Sequence, residues 1–163
     1  MDPLTDQQVR RSLVNCTKGE ASSATLPRDL DGLPWDSLEV LGWRDAKAPL
    51  RGYLVVQREG RPVGVALRAA QSRMSARRSV TCLLCQSTQS GDAVSLFTAR
   101  RAGEAGRRGD TVGTYVCADL GCAARARTEI PPWLRDRDPL LVAEERVAEL
   151  RERVATFVDA VLR

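Results

Sequence analysis

The strongest periodic signal lies at the C-terminal end of the chain. There Leu140, Ala143, Val147, Leu150, Val154, Phe157 and Val161 recur every three or four residues. Asp138 stands where an N-cap belongs and Pro139 follows at the first helical position, so an amphipathic helix is predicted over 138–163. Glu149 and Arg153 form an i,i+4 pair on its polar side. Such an apolar stripe packs on the chain's own sheet by default; the same spacing also suits a partner helix or self-association. A shorter amphipathic helix is predicted over residues 5 to about 16, where Thr5 and Gln8 form a capping-box pattern and Val9, Leu13 and Cys16 share a face. Cys16 reads there as a small buried hydrophobe.

Between these helices the pattern changes. Residues 19–37 are rich in Gly, Ser, Pro and Asp and read as a loop. A strand is predicted at 37–43. The β-branched runs 53–57 and 61–69 flank Arg58-Glu59-Gly60 as a hairpin, with Pro62 pushing the start of the second run toward an edge. Two more strands, 93–98 and 111–116, bracket a glycine- and arginine-rich loop. An alanine-rich helical string follows Cys122, and Pro131-Pro132 stops it. The fold class is therefore α+β: a short N-terminal helix (1–18), a loop (19–37), an antiparallel sheet of about five strands with a cysteine-bearing hairpin (38–128), and a long C-terminal helix (138–163).

Composition narrows the functions. The 163 residues are 43% hydrophobic and 28% charged, an ordinary globular balance. No apolar segment is long enough to span a bilayer and the N-terminus lacks signal-peptide character, so a cytoplasmic protein without a membrane partner is expected. Histidine is absent, which removes imidazole acid–base chemistry and His ligands. No phosphate-binding GxxxxGK[ST] loop occurs, and the Glu144-Glu145 pair lies on an exposed helix face. No enzyme and no small-molecule substrate are expected.

Four of the five cysteines form two close pairs, Cys82-x2-Cys85 and Cys117-x4-Cys122. Reduced cytosolic thiols at such spacing are metal ligands before they are disulfides, and the turn-like sequence after Cys85 does not suit a redox helix. Without histidine the site must be the four-cysteine, closed, structural kind. Sulfur ligands favour zinc over magnesium or calcium, while iron accepts the same set. The residues between the pairs are enough for a hairpin, so that a knuckle, a hairpin and a helix carrying the last ligand make a treble clef. The formal charge of +4 falls to about +2 once four thiolates and one dication are counted.

The run VSLFTARRAGEAGRRGDTVGTYVCADLGCAARAR, with CLLC before it and LGWRDAKAPLRGYLVV upstream, resembles the elongation-factor-G-binding FBP domain family. The FusB-type fusidic-acid-resistance proteins are its best-known members. The resemblance implies one structural zinc held by Cys82, Cys85, Cys117 and Cys122. It also implies a non-enzymatic protein that grips elongation factor G through the treble-clef region, promotes release of the factor from the ribosome, and is linked to fusidic acid tolerance. The resistance proteins carry a longer N-terminal helical bundle, so this chain resembles the short members, with one short helix predicted before residue 19.

The loop between the cysteine pairs places Arg100, Arg101, Arg107 and Arg108 close together, either as a solvated hairpin tip or as a surface for carboxylate or phosphate. Phe97 and Tyr115 lie on its strands and complete the candidate partner-binding set, with core packing as their other role. A second basic run, Arg68, Arg73, Arg77 and Arg78, joined by Arg125 and Arg127, supports an alternative in which the zinc finger binds the ribosome through its RNA. With only two tyrosines, two phenylalanines and three tryptophans, base-stacking platforms are scarce, which favours a protein partner.

Overall fold

The computed structural model describes residues 1–163. In chain order it forms α1 (Asp6–Ser12), α2 (Lys18–Ser23), β1 (Val40–Arg44), β2 (Arg51–Arg58), β3 (Arg61–Ala69), β4 (Ser79–Thr81), β5 (Thr88–Ser90), β6 (Val94–Arg100), α3 (Gly103–Arg107), β7 (Thr111–Cys117), α4 (Cys122–Thr128) and α5 (Pro139–Leu162). Five strands make one antiparallel sheet in the order β1-β2-β3-β6-β7, while β4 and β5 form a separate two-stranded ribbon between β3 and β6.

The hairpin joining β2 to β3 has the predicted turn. Arg58 pairs with Arg61, and Glu59 and Gly60 both take positive φ, 49° and 74°, which matches the right-handed twist of the flanking strands. Pro62 costs the sheet nothing, because β6 pairs only with Arg68 and Ala69 at the far end of β3.

Two apolar cores lie on opposite faces of the sheet. Leu54, Val56, Val65, Leu67, Phe97 and Val116 face α4 and α5, from which Leu150, Val154, Val158 and Val161 close the larger core. On the other face Trp43 stacks on Tyr53, with ring centroids 4.9 Å apart, beneath Val9, Leu13, Ala21 and Trp35. The stripe on α5 thus packs on the chain's own sheet. Its first predicted position is an exception: Leu140 is 75% exposed, because the first turn of α5 runs beyond the edge of what it covers. Asp138 caps that turn, accepting from the Leu140 amide at 2.8 Å.

Three expectations need correction. Residues 19–37 are not simply a loop: α2 occupies Lys18–Ser23, and Trp35–Ser37 form a 3-10 turn. The signal was Thr17-x-x-Glu20, a second capping box in which Glu20 accepts from the Thr17 amide and Thr17 from the Glu20 amide. Two short helices, not one, therefore precede the sheet. The first ends at Ser12, so Cys16 lies beyond it and is half-buried in the connection to α2. The arginine loop is not a free tip. It contains α3, and its base is fastened to the end of α5, where the Ala102 amide donates to the Val161 carbonyl at 2.7 Å and the Arg101 guanidinium donates to the Ala160 carbonyl.

Asp45 holds the turn from β1 to β2. Its buried carboxylate accepts from the amides of Thr25, Lys47 and Ala48 at 2.9–3.0 Å and from the Tyr53 hydroxyl at 3.4 Å. Burial alone would raise its pKa, but the amide donors overcome it and hold the carboxyl below its ordinary value of 3.8. Because the folded-state value is the depressed one, this stabilisation is present above the unfolded value and is lost as pH falls through the folded one. Asp45→Asn is expected to cost about 1–3 kcal/mol at neutral pH. Urea unfolding of both proteins at a series of pH values should show the gap close on acidification.

Candidate metal centre and its rim

The first cysteine pair sits on the turn between β4 and β5. Cys82 donates its amide to Ser87 and accepts from the Gln86 amide through its carbonyl, both at 2.9 Å. Gln86 takes a positive φ of 58°, the conformation that turns the chain back under the sulfurs. The second pair begins at the last residue of β7 and ends at the first residue of α4. Leu120, at φ 61°, bends the intervening segment while its amide donates to the Cys117 carbonyl at 2.9 Å.

Glycine explains how this second turn reaches the sheet. A Cβ on Gly42 would lie 2.5 Å from the Leu120 carbonyl oxygen, and one on Gly52 would lie 2.6 Å from a Leu120 methyl. Leu120 therefore sits in the space those two glycines leave open on β1 and β2. Arg44 adds a tether, donating to the Ala118 carbonyl at 3.0 Å with its guanidinium 5.1 Å from the Phe97 ring centre.

These turns bring all four sulfurs within 4.8 Å of one another, all of them buried. Cys82 and Cys122 Sγ are 3.7 Å apart and Cys85 and Cys117 Sγ 3.5 Å. Both are far longer than a disulfide. A zinc ion bound tetrahedrally at about 2.3 Å from each sulfur would place the sulfurs about 3.8 Å apart, so the set fits. The surrounding donors suit thiolates: the Cys85 amide lies 3.4 Å from Cys82 Sγ, Ser87 Oγ 3.0 Å from Cys85 Sγ, and Gln89 Nε2 3.2 Å from Cys117 Sγ. Hydrogen bonds from Cys117 and Cys122 lower Cys82 to about 7 and lower Cys85 further, whereas hydrogen bonding to the other three sulfurs raises Cys122. Four sulfurs this close cannot all carry charge alone, and a bound dication makes four thiolates compatible.

Helix α5 holds the first turn from behind. Arg146, itself buried, donates to the Cys85 carbonyl at 2.9 Å, and Arg153 donates to the Leu84 carbonyl at 3.3 Å. A second clamp lies at the edge of the sheet. The Glu39 carboxylate, 2% exposed, accepts from Arg127 of α4 and from Arg151 of α5 at 3.3 Å, joining β1 to both helices. Glu39→Ala would remove the buried end of this clamp and leave two arginines that reach solvent, and should lower stability by about 1 kcal/mol, measurable as a fall in the urea midpoint.

The candidate partner-binding residues do not form one patch. Phe97 is fully buried in the larger core and presents nothing to a partner, because its position on β6 faces α5. Arg101 is spent on α5, and Arg108 pairs with Glu104 at 3.2 Å within the loop. Arg100 points to the opposite face and pairs with Glu20 of α2 at 2.5 Å. Arg107 is exposed and forms no ion pair. Arg125 chelates Asp119 at 2.8 and 2.9 Å, so neither it nor Arg127 extends the basic run that begins at Arg68. Tyr115 is 42% exposed, and its carbonyl accepts from the Leu83 amide at 2.8 Å. The structure also exposes two apolar side chains that periodicity did not single out, the first of them beside Tyr115. Leu83, within the first cysteine turn, is 50% exposed, and Trp133, after the two prolines, is 72% exposed and lines a small hollow with Gln86 and Ser87. The available signal was their type: a large apolar residue in a tight turn or beside prolines has no helix or strand face to join.

Comparison with known families decides what this arrangement is. The family described as FBP C-terminal treble-clef zinc-finger matches residues 8–161. The chain belongs to that family. Its four-cysteine cluster is thus a zinc-finger metal site, and its match extends from α1 to the end of α5. No curated protein matches the chain. Among solved structures, the fusidic acid resistance protein FusC matches with a TM-score of 0.52 and 16% identity, over 76% of this chain and 51% of FusC. At that identity the likeness is one of fold, and the FBP chain spans about half of FusC's length. No helix is long and apolar enough to cross a membrane.

Proposed function

We propose that this FBP-family protein is a zinc-containing, non-enzymatic binder of elongation factor G that works in the cytoplasm on translation. In this reading it promotes release of the factor from the ribosome and thereby contributes to fusidic acid tolerance. The observation that carries the reading is the family match over 8–161 together with a complete set of four ligands. The likeness to FusC, a fusidic acid resistance protein, agrees with it.

Cys82, Cys85, Cys117 and Cys122 would hold one zinc, which supplies folding energy and, being saturated with thiolates, leaves no position for an activated water. The work of the chain's own residues is then positional. The first cysteine turn holds Leu83 outward, the Tyr115 carbonyl fixes that turn against β7, and Trp133 stands beside it. Exposed Leu83 on the metal turn, Tyr115 on β7 and Trp133 after the two prolines are the residue types found in interface hot spots.

Titration of the zinc-loaded protein with elongation factor G, with ribosomes in a parallel arm, tests this. Saturable binding to the factor alone is expected. Trp133→Ala should weaken that binding about thirtyfold while leaving zinc content and melting temperature unchanged. Binding to ribosomes alone would replace the reading with the ribosomal RNA alternative.

A further inference from the structure

A second charged feature lies on the opposite face of the sheet from the metal. Where α1 and α2 stop covering β2, β3, β6 and β7, a cleft of about 430 Å³ opens, within the size range of small-ligand sites. Its floor is set by strand register. Arg51 pairs directly with Arg68, Arg68 with Thr98, and Arg100 with Thr111, so all five side chains rise from the same face.

Two arginines directly opposite on neighbouring antiparallel strands are an unfavourable pair, with Cβ atoms about 5 Å apart. A fold tolerates such a pair easily when each has its own carboxylate, and here neither does. Arg51 makes one long hydrogen bond, 3.5 Å to Ser23 Oγ, and the Arg68 guanidinium makes none. The only carboxylate in the cleft is Glu20, already paired with Arg100. Three guanidiniums thus face one acid, and low walls of packed protein concentrate the resulting field. The remaining lining is neutral: Asn15 spends its amide on the backbone of Ala66 and Arg100, and Thr98 and Thr111 offer hydroxyls. A smaller hollow continues past Asn15 and Cys16 to the unpaired Arg107.

Arginine forks match phosphate oxygens in pairs, and three closely spaced arginines that share one carboxylate suit a ligand carrying several negative charges within a few ångströms. We propose that this cleft binds a compact polyphosphate group, as carried by a nucleoside di- or triphosphate, with Arg51, Arg68 and Arg100 as its phosphate-binding residues. Its three arginines lie on β2, β3 and β6 and none belongs to the zinc-finger rim, so the site does not depend on the reading of that rim.

The test is a calorimetric titration of the full, zinc-loaded chain with three probes at low salt: tripolyphosphate, a nucleoside triphosphate, and a short single-stranded RNA. Saturable binding of tripolyphosphate is expected, weakening with added salt. Equal affinity for the nucleotide would show that the phosphates alone are recognised, and tighter nucleotide binding would show that the cleft also receives the base; both support the site. Arg51→Ala and Arg68→Ala should each weaken tripolyphosphate binding about tenfold to a hundredfold, whereas Arg77→Ala, in an exposed stretch outside the cleft, should not. Thermal melts supply a second readout. Without ligand, Arg68→Ala should melt at or above the wild-type temperature, because it relieves the like-charge pair, and it should lose the stabilisation that tripolyphosphate gives the wild type. The proposal is overturned by RNA binding without tripolyphosphate binding, by no binding of any probe, by equal losses in Arg77→Ala, or by a ligand-free Arg68→Ala that melts well below wild type.

Discussion

Cys117→Ser is expected to lose zinc and to unfold the molecule around it rather than simply empty a site. Structural zinc contributes about 10–16 kcal/mol of apparent binding free energy in small finger peptides, as large as the entire stability of most domains. Here the four sulfurs are part of the larger core, in contact with the layer formed by Leu84, Leu120, Ala123 and Leu150. The mutant should therefore show less than one zinc per chain by elemental assay, a non-cooperative thermal transition, and rapid amide exchange in α4 and in the β4–β5 ribbon. Since each ligand must shed a proton to bind, the wild type should release zinc progressively as pH falls, and a chromogenic chelator would follow it. A mutant that kept a sharp melt without metal would sink the structural-zinc reading.

Phe97→Ala should have the next largest effect, a loss of about 3–5 kcal/mol. The ring is fully buried between β2, β6 and the turn bearing Leu120, with the Arg44 guanidinium over it. Removing it leaves a cavity that the sheet and a metal-fixed turn have little freedom to fill. Urea unfolding measures the loss directly. A residue at a binding surface would instead leave stability intact and weaken only the complex, so unchanged stability would return Phe97 to the interface.

What could be read from the sequence divides along physical lines. The α5 stripe, the β2–β3 hairpin and the two cysteine pairs are local patterns whose period or spacing carries their meaning, and the structure has a helix, a hairpin and a sulfur cluster where each predicts one. Helix α2 was hidden because Gly19, Ser22 and Ser23 lower helix propensity, while the Thr17–Glu20 box that starts it spans only four residues. The arginines were the least legible. Arg101, Arg125, Arg127 and Arg146 look like surface charge in sequence, yet each satisfies a carbonyl or carboxylate from a distant segment or a neighbouring turn. Arg68 reads as the start of a basic run and Arg51 as an isolated charge, and the register of the β2–β3 hairpin sets them face to face. Arg100 joins them only through the pairing of β3 with β6, which no single window of residues contains.

The continuity between the sulfur cluster and the larger core also has a cellular consequence. A chain whose metal site were a detachable module would survive zinc shortage as an inactive but intact protein. In this one, Cys82, Cys85, Cys117 and Cys122 share a core with the inner faces of α4, α5 and the central strands. A newly made chain that meets no zinc is left with an open core, and unfolded chains are what proteases remove. Loss of the metal would therefore be felt through α4, α5 and the central strands together, and not at the sulfurs alone.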